Sequence, residues 1–181
     1  MTTSYSNTGG TGDRRSIITT TLTGGSIGGG AVTDLVDGSQ ANSFWWLFGF
    51  SNVYIKFDFG AGNSWVIDEF KWYQDNTASH GTWDFDGSPD NINWTNLLHD
   101  LTLGGAATQT YTVTNTTDYR YYRLAPGTSQ LSNSSPFLRE IEFKIGAGAG
   151  GGGPSATLRR FPPIIPVRQF PLNTSRRFPV T

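Results

Sequence analysis

The chain's 181 residues leave room for one domain of ordinary size and an appendage, not for two full domains. Six Trp, seven Tyr and twelve Phe stand beside 23 Gly and a single Met, a composition suited to strands joined by turns. The lack of cysteine excludes disulfides and thiolate metal sites, and a formal net charge of −1 argues against a general nucleic-acid binder.

Residues 1–15 are polar and aperiodic and read as a loose lead-in; they lack the charged and apolar stretches of a signal peptide, so none is expected. The β-branched run Ser16 to Leu22, bounded by Gly24-Gly25, is expected to be the first strand. Val53 to Phe59 alternates most cleanly. Val53, Ile55, Phe57 and Phe59 point one way, and Tyr54, Lys56 and Asp58 the other. Further strands are expected at Val66–Tyr73, around Trp83 and Phe85, around Tyr111 and Val113, at Tyr119–Leu124 and at Glu140–Ile145. Between them, Ser88-Pro89-Asp90-Asn91-Ile92-Asn93-Trp94 has the chemistry of a tight turn, with Asn91 able to take the left-handed conformation and Trp94 returning to the core. No segment holds a 3.6-residue period over ten residues, and none approaches the length of a membrane span. Short strands with turn signals imply an all-β sandwich or jelly roll.

The head ends at Ile145. Residues 146–153 are a Gly-rich linker by composition, and residues 154–181 form an Arg/Phe/Pro-rich arm. Up to Lys144 there are eight basic and fourteen acidic residues; beyond it there are five arginines and no acid. The arm repeats Arg-x-Phe-Pro three times, through Arg159 and Phe161, Arg168 and Phe170, and Arg176 and Phe178. Proline restricts such a segment to extended forms and lowers the entropy lost on docking, while Phe fills pockets and Arg supplies forked donors. These six residues are therefore the expected partner-docking set. A disordered tail is the bland alternative.

Several motifs, in order, resemble the discoidin, or coagulation-factor type C, family. Val36-Asp37-Gly38 with Trp45-Trp46 downstream resembles its early signature, and Ile55 to Gly60 its Asp-Leu-Gly strand. Ser88 to Trp94 is similar to its Ser-x-Asp-Gly-x-x-Trp hairpin, with Asn91 where the family usually has Gly. Arg120 to Leu124 and Glu140 to Phe143 resemble its last core strands, so the likeness covers about residues 15–145. It implies an eight-stranded, galactose-binding-like jelly roll that binds glycans, lipids or proteins through loops at one end. It also places Asp37 and Glu140 near the calcium ligands of glycan-binding relatives, with turn-former and surface-acid roles as the first reading of these acids. The terminal cysteines of many extracellular members are missing, as in the bacterial carbohydrate-binding relatives.

Ser43 to Phe50 is the densest aromatic stretch; core packing is the first reading of most of its rings, and Trp45, Trp46 and Phe48 are the candidates for a sugar-stacking platform or interface contact. His80 and His99 show no ligand-like spacing, no nucleophile elbow is present, and the glycine runs lack the Lys-Ser/Thr of a phosphate loop. No catalytic residue, metal ligand or cofactor is expected, with structural calcium as a minor alternative. The first reading is a non-catalytic structural or attachment protein of a large assembly, such as a bacteriophage virion. The arm would bind other structural proteins, the head would face outward on the particle, surface glycans would be possible ligands, and several copies would be present. The alternative is a free carbohydrate-binding module.

Overall fold

The computed structural model describes residues 11–46, 52–131 and 137–145, with only the backbone of Trp46. Phe48, the linker 146–153 and the arm 154–181 lie outside the described residues, and with them Arg159, Phe161, Arg168, Phe170, Arg176 and Phe178. In chain order the strands are β1 (Thr19–Thr23), β2 (Ile27–Gly29), β3 (Trp45–Trp46), β4 (Tyr54–Asp58), β5 (Ile67–Gln74), β6 (Ser79–Ser88), β7 (Thr95–Gly104), β8 (Thr108–Thr112), β9 (Tyr121–Gln130) and β10 (Leu138–Ile145). A short 3-10 turn at Val32–Val36 is the only helical element among the described residues. Two antiparallel sheets, ordered β1-β4-β9-β6-β7 and β10-β5-β8, face each other, and β2 pairs with β3 as a small ribbon. This is the expected β-sandwich.

The register explains why these segments are strands. One row across the larger sheet runs Leu22, Ile55, Leu124, Phe85, Leu98, apolar on every strand. The next runs Thr21, Lys56, Arg123, Asp86, Asn96, polar on every strand. Successive residues face opposite sides of a sheet, so these rows put one face in the core and the other toward solvent. Phe57 and Phe85 of the larger sheet meet Phe70 and Phe143 of the smaller one, with Tyr122 stacked on Phe85. Phe57 and Phe143 make an edge contact with centroids 5.0 Å apart, and Phe70 lies 4.7 Å from Phe85. All five rings are fully buried. The Tyr122 hydroxyl donates to the carbonyl of Trp65 and accepts the Ile67 N–H, so its polar tip costs the core little.

Three expectations are corrected. The first strand begins at Thr19 rather than Ser16, because Ile17 and Ile18 both donate their N–H groups to the Arg14 carbonyl and close a turn there. The expected loose lead-in contains Arg14, which is buried at 2% exposure and bonded to Val36 through its backbone. β7 has no counterpart in the sequence reading. Its pairing with β6 slips at three places and Asp100 adopts φ 52°, so Leu98, Leu101 and Leu103 do not fall on a strict alternation.

Candidate functional site

The outer face of the larger sheet carries a cleft of about 230 Å³ lined by Thr23, Tyr54, Lys56, Asn91, Trp94 and Arg123. Its floor comes from the polar rows of β1, β4 and β9, and its wall from the hairpin joining β6 to β7. Arg123 is the centre. Its guanidinium carbon lies 4.1 Å from the Trp94 ring centroid and 5.1 Å from that of Tyr54, a cation between two aromatic faces. Its Nε donates to Asp86 Oδ2 at 2.8 Å, and Asn96 Nδ2 donates to the other oxygen of the same nearly buried carboxylate at 3.0 Å. Arg123 is thereby fixed by one carboxylate and two rings. Lys56 lies opposite it on β4 and makes no hydrogen bond or ion pair among the described residues.

The hairpin wall is held by its own polar groups. The Ser88 hydroxyl accepts the N–H groups of Asn91 at 2.9 Å and Asp90 at 3.3 Å. The Asp90 carboxylate accepts those of Asn93 at 2.8 Å and Ile92 at 2.9 Å, together with the Asn93 side-chain amide at 2.7 Å. The backbone bonds from Asn93 and Ile92 hold the Asp90 carboxyl well below the ordinary carboxylate range. Asn91 takes φ 63°, as expected for this turn. Trp94 does not return to the core. It is half-buried and lies on the outer face, against Arg123.

The expected platform divides. Trp45 is half-buried in β3, its ring stacked on Phe137 with centroids 4.6 Å apart. The glycine paired with it, Gly29, leaves room for the indole; a Cβ there would come within 2.3 Å of it. The Trp46 side chain and Phe48 lie outside the described residues. The neighbouring Phe44 is fully buried.

Asp37 and Glu140 do come close together, but their oxygens are occupied by donors. One oxygen of Glu140 pairs with the guanidinium of buried Arg14 and the other accepts the Gly38 N–H at 3.0 Å. Asp37 accepts the Ser39 N–H at 2.8 Å and the Asn42 amide at 2.6 Å. An arginine supplies the positive charge here, and burial lowers that arginine's pKa to about 10. A guanidinium already seated on Glu140 disfavours a second cation such as calcium in this set.

The histidines differ in setting. His80 is completely buried, and desolvation pulls its pKa down to about 4, so it is neutral at physiological pH. His99 is exposed and joins two carboxylates, with Nδ1 2.9 Å from Asp84 and Nε2 3.5 Å from Asp100. The ligand atoms of Asp84, His99 and Asp100 lie within 4.8 Å of one another, a cluster that spacing alone does not reveal. These acids already accept protein donors. Asp100 takes the N–H and hydroxyl of Thr128, and Asp84 takes the Asp100 N–H, so the group ties the bulged β7 to β6 and β9.

No family model and no curated protein matches this chain. Solved structures do. Chitosan-binding module 1 from the chitosanase/glucanase of Paenibacillus sp. IK-5 superposes with a TM-score of 0.55 at 19% identity, over 70% of this chain and 94% of that one. The C-terminal domain of a chitobiase from Bacteroides fragilis gives a TM-score of 0.59 at 16% identity, over 72% and 94%. The CBM32 of AlyQ, solved with 4,5-unsaturated mannuronic acid, gives 0.55 at 21% identity, over 73% and 96%. The chain has the discoidin-type fold. These neighbours are galactose-binding-like modules, and the fold they share with this chain is the one its ordered motifs imply. No helix among the described residues is long and apolar enough to cross a membrane.

Proposed function

We propose that the head is a non-catalytic carbohydrate-binding module whose ligand lies in the cleft between the β6–β7 hairpin and the outer face of β4 and β9. The observation that carries this reading is the pairing of Trp94 and Tyr54 around a fixed Arg123, with the Asn91 amide and Thr23 hydroxyl on the rim. Aromatic rings supply apolar area for the carbon-bearing faces of pyranoses. A few placed polar groups then orient the hydroxyls. The chitosan-binding and mannuronate-bound neighbours support the same class of ligand. They favour this reading over the particle-attachment one, since both are named for a saccharide that they bind.

Trp45, together with Trp46 and Phe48 of the same sequence stretch, is the second candidate to be tested. Binding to a panel of immobilised polysaccharides should fall at least tenfold in Trp94→Ala and change little in Trp45→Ala after correction for folded fraction. The reverse pattern would move the site to the Trp45 cluster. Absence of any saccharide binding by the unaltered protein would overturn the functional reading.

A further inference from the structure

Resting on the carbohydrate-binding reading, we infer that the cleft selects saccharides bearing a carboxylate, with Lys56 and Arg123 as its receptors. The two cations are cross-strand neighbours on β4 and β9, so their charged ends serve one small patch. No acidic side chain lines the cleft. The nearest carboxylate, Asp86, is already bonded to Arg123 Nε and to Asn96, which balances one of the two cations and leaves the other in excess. Asp58, the other acid near Lys56 on the outer face of β4, is held by both nitrogens of an Arg120 fork at 2.7 and 2.9 Å. Lys56 acts on Asp58 through its charge but makes no hydrogen bond or ion pair among the described residues.

Arg123 contributes geometry as well as charge. Its Nε is committed to Asp86, and no hydrogen bond among the described residues uses its terminal nitrogens. Two rings flank the guanidinium plane, so it is held in place before any ligand arrives. A planar carboxylate is the natural acceptor for the open side of such a fork, and the mobile ammonium of Lys56 can approach the same group. The head as a whole is acidic, with fourteen acids against eight bases up to Lys144, so its overall field does not attract polyanions. An anion preference has to come from this patch.

The experiment compares a short oligogalacturonate with its carboxyl-reduced, neutral counterpart by isothermal titration of the full chain. The same titrations are run on Lys56→Gln and Trp94→Ala. The acid form should bind about tenfold more tightly than the neutral form, with the gap closing as salt rises. Lys56→Gln should remove most of that gap by weakening the acid ligand far more than the neutral one, and Trp94→Ala should weaken both ligands. The arm arginines are common to all three proteins, so they cannot produce a difference that depends on Lys56. Equal affinity for the two ligands, or an acid preference that survives Lys56→Gln, overturns the inference while the carbohydrate-binding reading stands. Binding of neither ligand, nor of any polysaccharide on the panel, overturns both.

Discussion

Arg14 and Glu140 form a buried ion pair, each side chain about 2% exposed. Such a pair is weak evidence of net stabilisation, but removing one partner strands the other charge away from water. Arg14→Met should therefore destabilise the fold by about 3–5 kcal/mol in urea titrations. Adding Glu140→Gln should recover part of the loss, because the uncompensated charge is gone while the Gly38 N–H keeps an acceptor. His80 carries a different liability. Its pKa is near 6.5 when unfolded and about 4 in the fold, so between those values the unfolded chain holds the extra proton. Stability should thus decline as pH falls from about 6.5 to about 4 and receive no further loss from this residue below that. The decline has an upper limit on the order of 3 kcal/mol, the product of that shift and 1.36 kcal/mol per unit. Thermal melts across this window should show the slope in the unaltered protein. It should be much reduced in His80→Phe, provided that variant folds.

The hairpin between β6 and β7 joins local conformation to the site. Asn91 stands where the resembled family usually has glycine, and its φ of 63° explains why either residue suits the turn. The asparagine adds an amide to the cleft rim, which glycine lacks. Asn91→Gly should leave the melting temperature nearly unchanged yet weaken saccharide binding, whereas Asn91→Ala should also cost about 1 kcal/mol of stability through backbone strain. Melting curves and binding isotherms on the two variants separate these contributions. Sequence alone identifies this turn, since Ser88, Asp90 and Asn91 have local partners. It does not place Trp94, because an aromatic residue after a turn reads equally as core or surface until the pairing of Asp86 with Asn96 sets which face it takes. Likewise, the outward direction of Tyr54 and Lys56 follows from alternation along β4. Their meeting with Arg123 requires knowing that β9 lies beside β4, a long-range pairing that no local pattern states. The first strand's late start has a similar cause, since the Arg14 carbonyl that closes the preceding turn lies outside the β-branched run.

At the scale of the molecule, the buried cluster among the described residues runs from Ile18 to Phe143 and draws on both sheets, and we propose that the head folds without the arm. A protein cut back to residues 1–145 should melt cooperatively as a β protein; a molten product would mean that the arm completes the core. The arm's docking role remains a proposal carried by its three Arg-x-Phe-Pro repeats. Fully extended, residues 146–181 would span on the order of 110 Å, and linked sites share an effective concentration. Loss of Phe161 alone should then weaken capture of a partner modestly, and loss of Phe161, Phe170 and Phe178 together should abolish it in pull-downs. β7 bears on how many such molecules can be crowded together. At ten residues it is the longest strand on the rim of either main sheet, and its slipped pairing and the left-handed Asp100 interrupt it. A rim broken in this way offers no straight run of free amides on which a second chain could lay a strand, so β7 is a poor template for edge-to-edge pairing when heads are crowded.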